Sequence, residues 1–211
     1  MIRHTKIFFS FLFMMIFCCC QNSNQKPAHV FITPLPNRED MSAYINAAFP
    51  ALFNVKDINF SNGTLTFTLY SEDLYDAAAI DKLQSGDTLL YNQDTLVVQK
   101  VSNANGTVII NDDIENGGAC LEVHDQDSYR AVQLDNHSVY SKKEVVTLPL
   151  SPLFTIMDCG EFPTDATKII RQNQEEYLQG LPEYRQTFTF LDTRVMVNNG
   201  QVTHIVRSWI P

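Results

Sequence analysis

The chain has 211 residues and carries 15 basic against 24 acidic side chains, which gives a formal net charge of −9 at pH 7. An acidic surface repels phosphate backbones, so the composition argues against nucleic-acid binding. It also offers no basic patch to an anionic membrane surface. The length is enough for one good hydrophobic core or for two small ones.

The chain begins with a short apolar segment that ends in cysteines. Arg3 and Lys6 give a positive start, and Ile7–Phe17 is apolar apart from Ser10. A membrane-spanning helix needs roughly 20 apolar residues, so this run is too short to cross a bilayer. It has the length of the apolar core of a secretory signal peptide, but Cys18-Cys19-Cys20 stands where the usual small-residue cleavage site would be.

This segment resembles the signal peptide of bacterial lipoproteins, in which processing occurs just before a cysteine whose thiol carries a diacylglyceryl group. The family prefers Gly, Ala or Ser before that cysteine, and here the residue is itself Cys. The resemblance implies a signal peptide over residues 1–20 and lipidation of Cys20, with Cys19 as the alternative. An uncleaved N-terminal membrane anchor is the other interpretation.

A lipid at this position implies a location outside the cytoplasm, in the cell envelope, facing either the periplasm or the cell surface. The three acyl chains of this family's anchor would hold the protein on the membrane where a single chain would not. Removal of residues 1–20 would leave a net charge of −11, because they contain two basic residues and no acidic ones. Gln21–Ala28 is polar and is predicted to be a flexible tether.

Helical periodicity predicts three helices in the rest of the chain. The first covers Arg38–Phe49, whose apolar residues share one face. The second is a short helix over Leu74–Lys82, with Ser71 as its N-cap. The third begins at Thr164 and ends at Gly180.

Four Asn-Gly pairs mark turns, because type I′ hairpin turns need positive φ at both central residues and this pair tolerates it best. The pairs are Asn62-Gly63, Asn105-Gly106, Asn116-Gly117 and Asn199-Gly200. The residues on either side of the first, second and fourth pairs are typical of strands. Thr64–Tyr70, for example, alternates threonines with Leu and Phe, as expected of a strand with one buried face.

Further strands are predicted at Asp87–Tyr91, Asp94–Val101, Glu122–Val123, Tyr129–Leu134, His137–Tyr140, Glu144–Leu150 and Phe154–Met157, with a closing hairpin over Gln186–Val197 and Gln201–Ile210. Closely spaced strands with turns between them indicate a small barrel or sandwich. The predicted fold is therefore a β-rich α+β fold: a small antiparallel barrel or sandwich with flanking helices and a C-terminal β-hairpin. We expect residues 29–211 to form a single globular unit, with a subdivision near residues 158–163 as the alternative.

The sequence contains no nucleophile elbow, phosphate loop, dinucleotide fingerprint or zinc-protease motif, so we expect neither a cofactor nor a metal. Cys120 and His124 lie four residues apart in a predicted strand, roughly 13 Å, which is too far to share an ion. Two acidic turns, Asp112–Asn116 and Asp125–Asp127, are the remaining calcium candidates. Their spacing does not match the helix-loop-helix calcium pattern, and we interpret them as solvated turns.

Cys120 and Cys159 are the only cysteines outside the N-terminal group. An exported protein meets an oxidising compartment, in which disulfides persist. A bond between the two requires Cα atoms roughly 4.4 to 6.8 Å apart. The alternative is two free thiols that pack as small hydrophobic side chains.

Two hypotheses about function remain open. The first is a membrane-tethered, non-enzymatic binding or assembly module whose partner is an envelope protein or a glycan. Aromatic side chains that could stack on a ligand are Tyr70, Tyr75, Tyr91, Tyr129, Tyr140 and Trp209. The second is an extracytoplasmic hydrolase of the glycosidase type that uses Asp and Glu, which two carboxylates about 5 to 9 Å apart in a deep cleft would favour.

Overall fold

The computed structural model describes residues 28–35 and 47–210. The predicted signal peptide with Cys19 and Cys20, nearly all of the predicted tether, and residues 38–46 of the first predicted helix lie outside the described residues.

The strands are, in chain order, β1 (Phe31–Ile32), β2 (Ala47–Asn54), β3 (Ile58–Asn59), β4 (Thr64–Glu72), β5 (Leu74–Asp76), β6 (Thr88–Tyr91), β7 (Asp94–Val97), β8 (Val101–Ala104), β9 (Thr107–Ile110), β10 (Ala119–Val123), β11 (Ser128–Val132), β12 (Tyr140–Asp158), β13 (Lys168–Ile170), β14 (Thr187–Phe188), β15 (Thr193–Asn198) and β16 (Gln201–Arg207). Within the described residues the α-helices are α1 (Ala77–Ile80) and α2 (Gln174–Gln179). Single turns of 3-10 helix lie at Val55–Asp57, Ile114–Asn116, Leu134–Asn136 and Glu183–Arg185.

Five of these strands close into a barrel. Their order is β2-β4-β12-β16-β15, and β15 pairs back onto β2. Every neighbouring pair is antiparallel except β12 and β16, which run parallel. Counted along the chain, the order is 1-2-3-5-4-1, which is that of the OB fold, a five-stranded Greek-key barrel. The predicted β-rich fold with a small barrel and a C-terminal hairpin is therefore confirmed.

Strand β12 is longer than the sequence suggested. Three separate short strands were expected between His137 and Met157, and the structure has one strand of 19 residues. Pro149 lies inside the second of these predicted strands and Pro152 lies between the second and the third, and proline cannot donate to a sheet ladder. Both prolines lie where the strand changes partner: it pairs antiparallel with β4 up to Pro149 and parallel with β16 from Leu150 onward.

The core of the barrel follows from the alternation of buried and half-buried residues along its strands. The buried apolar side chains include Phe49, Ala51, Phe53, Leu65, Phe67, Leu69, Phe154, Ile156, Val195, Val197, Val202 and Ile205. Leu178 of α2 and Phe188 of β14 also belong to the cluster, and both are fully buried. Each such Leu, Ile or Phe contributes roughly 1.5–3 kcal/mol of hydrophobic stabilisation.

A second cluster of buried side chains belongs mainly to the segment between β4 and β12. Its sheets have the orders β5-β11-β10-β9-β8 and β1-β6-β7. The fully buried Tyr75, Ile80, Leu89, Ile110 and Leu121 are among its members. The chain leaves β4 at Asp73 and returns to β12 after Val139, and the backbone N–H of Asp73 donates to the carbonyl of Val139. Strands on both sides of residues 158–163 belong to the same barrel.

Two of the four Asn-Gly pairs have the positive φ at both residues that a type I′ turn needs: Asn105-Gly106 (55° and 82°) and Asn199-Gly200 (49° and 72°). At Asn62-Gly63 only Gly63 has positive φ (62°), whereas Asn92-Gln93, which joins β6 to β7, has positive φ at both residues (49° and 69°). Asn116-Gly117 instead ends a 3-10 turn, with Gly117 in the left-handed conformation at φ 81°.

The helix predictions were wrong in most of their extent. Residues 47–49 of the first predicted helix belong to β2, and Pro50 lies inside that strand. Leu74–Asp76 of the second is β5, paired with β11, so only Ala77–Ile80 is helical. Asp76 caps that turn with a bond from the N–H of Ala79 (2.8 Å), whereas the predicted cap lies within β4.

The third predicted helix also begins later than expected. Lys168–Ile170 forms β13 on the edge of β12, so the helix covers only Gln174–Gln179, and Gly180 ends it as predicted. Within the described ranges, no helix combines the length and the apolar character that crossing a membrane would require.

Candidate functional site

One end of the barrel contains a buried charge network centred on Asp158, the last residue of β12. Parallel pairing of β12 with β16 places Asp158 opposite Arg207. Nε of Arg207 donates to Oδ1 of Asp158 (2.8 Å), and Nη2 donates to Oδ2, so the pair is bidentate. The side chain of Asp158 is 0% exposed and that of Arg207 is 4% exposed. A carboxylate so buried requires charged or hydrogen-bonding partners.

Two further side chains bind the same carboxylate. Nη2 of Arg185 donates to Oδ1 of Asp158 (2.7 Å) and to the carbonyl of Cys159 (2.7 Å). The hydroxyl of Tyr177 donates to Oδ2 (3.0 Å). Burial, reinforced by the charge of Asp158, raises the pKa of Tyr177 to about 12. The network therefore connects β12, β16, α2 and the 3-10 turn before β14.

Aromatic rings hold Arg207 from one face. Its guanidinium lies 4.1 Å from the ring centroid of Phe188, a cation–π contact. The Phe188 ring in turn stacks on Phe53, with centroids 4.7 Å apart. Nη1 of Arg207 donates to the carbonyl of Arg185 (2.8 Å). The guanidinium of Arg207 is thus held by an aromatic ring against its face and by hydrogen bonds from its nitrogens.

A groove of about 430 Å³, here called the aromatic groove, lies beside this network. Its volume is within the range of small-ligand sites. The rings around it are exposed: Tyr184 by 71%, Phe162 by 64% and Trp209 by 40%. The charged side chains that line it are Glu161, Arg185, Asp192 and Arg207.

The loop that carries Phe162 is held in place by its own side chains. Oδ2 of Asp165 accepts hydrogen bonds from the N–H groups of Glu161 (2.8 Å) and Phe162 (3.2 Å). A Cβ atom on Gly160 would lie 2.0 Å from the Cβ of Asp165, so only glycine fits there. Asp165 is the residue after Thr164, at which the third helix was predicted to begin, but it caps a loop instead.

Hydrogen bonds also position the acidic side chains of the groove. The hydroxyl of Tyr184 donates to Oε1 of Glu161 (2.6 Å), and this bond raises the pKa of Tyr184. Oδ1 of Asp192 accepts from the Thr189 N–H and hydroxyl and from the Thr193 hydroxyl. The carboxylate of Asp192 is therefore part of the framework around the groove.

The aromatic residues selected from the sequence lie in three different places. Trp209 lines the aromatic groove. Tyr70 and Tyr140 meet at Phe190, with ring centroids 4.1 Å and 5.7 Å from it. Tyr75, Tyr91 and Tyr129 pack in or against the second cluster and donate their hydroxyls to Leu90, Val132 and Asp81. Sequence reasoning missed Phe162 and Tyr184, although each is an aromatic residue in a segment rich in Gly, Pro and Glu.

The two cysteines considered as a disulfide pair belong to different parts of the fold. Cys120 and Cys159 are free, half-buried thiols. Cys120 is on β10, and Cys159 lines the aromatic groove. Burial raises the pKa of both.

The two acidic turns use their carboxylates as caps. Oδ1 of Asp113 accepts from the backbone and side-chain nitrogens of Asn116, and Oδ1 of Asp125 accepts from the Asp127 N–H and the Ser128 hydroxyl. These bonds lower the pKa of Asp125. In the part of the chain that the structure describes, no three His, Cys, Asp or Glu side chains form a group able to hold a metal ion.

Comparison with known proteins finds no matching family model, no matching curated protein and no matching solved structure. A fold does not by itself determine a function, so the chemistry of the groove is the guide to what it binds.

Proposed function

We propose that this protein is a membrane-tethered lipoprotein of the cell envelope that acts as a non-enzymatic binding module. The lipid is on Cys20, or on Cys19, and residues 21–28 connect it to the folded part. The aromatic groove is the binding site, and its partner is another component of the envelope.

The observation that carries the binding role is the combination of exposed aromatic rings around the groove and a buried, hydrogen-bonded charge network beside it. Exposed apolar patches mark interaction sites, and Phe162, Tyr184 and Trp209 place three exposed rings around one concavity. Beneath them, the network of Asp158 with its two arginines fixes the elements that form the walls. A preformed site loses less conformational entropy on binding, which favours affinity.

The chemistry of the carboxylates supports binding over hydrolysis. A glycosidase needs a general acid whose pKa is raised. Asp73 is a carboxylate whose pKa is raised by burial, but it lies at the end of β4 and does not line the aromatic groove. In the groove, Oδ1 of Asp192 already accepts hydrogen bonds from the hydroxyls of Thr189 and Thr193.

The tether is tested by lipid labelling and membrane fractionation of the full chain. Cys20→Ala should abolish labelling with a radioactive fatty acid and release the protein from membranes. Labelling that persists in Cys20→Ala but is lost in Cys19→Ala assigns the lipid to Cys19. Labelling that survives the replacement of both cysteines would refute the lipoprotein assignment.

The binding role is tested by retention of envelope components on the tagged, lipidated protein. A Phe162→Ala, Tyr184→Ala double variant should lose components that the wild-type protein retains. Phe31→Ala is the matched control, because Phe31 is a 58% exposed ring on β1 that does not line the groove. Equal retention by the double variant and the control would contradict the assignment of the groove.

A further inference from the structure

We infer that the ligand of the aromatic groove is a short, uncharged saccharide chain, an inference that rests on the proposed binding function. A sugar ring presents an apolar face of C–H groups and an edge of hydroxyls that both donate and accept hydrogen bonds. A site for it therefore needs exposed aromatic faces and, beside them, polar groups of both kinds.

The aromatic faces are present and accessible. Phe162 lies on the capped loop after β12, Tyr184 on the 3-10 turn, and Trp209 just after β16. All three line the same groove and are 40% to 71% exposed. Large rings with few rotatable bonds supply contact area at a low entropic cost.

Polar groups of both kinds line the same groove. Arg185 uses only Nη2 in the charge network, and within the described ranges its Nε and Nη1 have no hydrogen-bond acceptor. Its side chain is 14% exposed, and it lines the groove. Glu161 accepts from Tyr184 through Oε1 alone, so Oε2 is open to a donor as far as the described residues go. The hydroxyls of Thr187 and Ser208 add groups that can both donate and accept.

The charge balance of the groove argues against anionic ligands. Two arginines and two acids line it, and the buried Asp158 lies beneath Arg207. The whole chain is acidic, at −9. Polyanions such as nucleic acids or anionic lipid surfaces need a positive field, which this surface does not supply.

The shape of the site favours a chain of sugar units. Protein interfaces bury about 800 Å² per partner over a broad surface, whereas this site is a concavity of small-ligand size. A second groove, of about 600 Å³, also contains Glu161 and Arg185. It is lined by Gln172 and Asn173 and by one further residue of each charge, Lys168 and Glu176. A saccharide too long for the first groove can therefore continue into the second, where amides offer further donors and acceptors.

Trp209 makes the inference directly testable, because it is the only tryptophan in the chain and its fluorescence reports on the groove. The full-length lipidated protein, in a detergent without a sugar headgroup, is titrated with maltohexaose, cellohexaose and chitohexaose, and with an oligogalacturonate as the anionic comparison. We expect a saturable change with at least one neutral sugar and none with the anionic one. Phe162→Ala and Tyr184→Ala should each weaken binding about tenfold, the size typical of a central interface residue, and Phe31→Ala should leave it unchanged.

A saturable response to none of the three neutral sugars would overturn the saccharide assignment, and so would affinity unchanged by Phe162→Ala and Tyr184→Ala. Thermal unfolding of each variant confirms that a lost response does not reflect a lost fold. The proposed binding role fails separately, when the groove variants retain envelope components as well as the wild-type protein does.

Discussion

Asp158 and Arg207 lie opposite each other in the one parallel strand pair of the barrel, and both side chains are buried. This pair joins the end of the third barrel strand to the end of the fifth. Arg185 and Tyr177 bind the same carboxylate. Tyr184 lies next to Arg185 in one 3-10 turn, and the loop that carries Phe162 follows directly after Asp158, so the network holds both segments in place. The rigidity of the aromatic groove follows from this arrangement.

Asp158→Ala should destabilise the protein strongly, because it leaves the guanidinium of Arg207 buried without its partner. Breaking a buried pair by removing one member costs about 3–5 kcal/mol, and chemical denaturation measures the loss. Glu122→Ala is the matched control, because Glu122 binds Arg130 (2.8 Å) in a pair that is about 30% exposed. The control should lose less than about 1 kcal/mol. Similar losses in the two variants would show that the Asp158 network is not what fixes this end of the barrel.

Asp73→Asn should flatten the dependence of stability on pH. Asp73 is buried, and among the described residues its Oδ1 has no hydrogen-bond donor. Burial raises its pKa above 3.8 despite a bond from Ser141 and the charge of Lys143 (Nζ to Oδ1, 3.9 Å). Between 3.8 and the raised pKa, the folded state binds more protons than the unfolded state. The contribution of Asp73 to the free energy of unfolding therefore falls as pH rises through that window, and Asn removes this fall.

Asp125→Asn should change the pH dependence of the free energy of unfolding in the opposite direction. Hydrogen bonds from Ser128 and Asp127 lower the pKa of Asp125, so its contribution is present above pH 3.8 and is lost as pH falls through the lowered value. Urea unfolding at a series of pH values measures both slopes. A pH profile unchanged by Asp73→Asn would show that Asp73 does not titrate differently in the two states.

Gly160→Ala should shift the loop of the aromatic groove. The added Cβ would lie 2.0 Å from the Cβ of Asp165, and the loop cannot keep both of its capping bonds at that separation. Overpacking of this kind costs about 1–3 kcal/mol. Gly180→Ala is the control, because its Cβ would approach an atom no closer than 3.3 Å and its φ of −79° suits any residue. Trp209 fluorescence that changes in Gly160→Ala but not in Gly180→Ala would confirm the loop shift, whereas no change in either would contradict it.

Cys120 and Cys159 should both react with iodoacetamide in the unfolded, unreduced protein, because the structure holds them as free thiols. In the folded protein, burial raises the pKa of each, so alkylation at neutral pH should be slow and should accelerate as pH rises. Mass spectrometry counts the labels. Two unlabelled cysteines after unfolding, with labelling restored by a reductant, would instead demonstrate a disulfide.

The strands could be predicted from the sequence because their signals are local. Thr64–Tyr70 alternates cleanly, and turns such as Asn199-Gly200 have the residue types that positive φ requires. The helix predictions were wrong where pairing with a distant strand outweighed the local helical periodicity. Ile169 and Ile170 suit a helix face, but the edge of β12 was available to pair with them as a strand.

The site was harder to predict, because it depends on which strand ends meet. Asp158 and Arg207 are 49 residues apart, and only the parallel pairing of β12 with β16 brings them together. Trp209 was selected from the sequence for its residue type. Phe162 and Tyr184 were not, because nothing local distinguishes an exposed ring that lines a groove from a ring in an ordinary loop.

Photo-crosslinking in producing cells tests the role of the aromatic groove most directly. p-Benzoylphenylalanine in place of Tyr184 inserts into C–H bonds of whatever occupies the groove, whether glycan or protein. We predict a crosslinked, lipid-anchored product from this position and none from the same replacement at Phe31, which is also exposed but lies outside the groove. No product from position 184, or equal products from both positions, would contradict the assignment of the aromatic groove as the binding site.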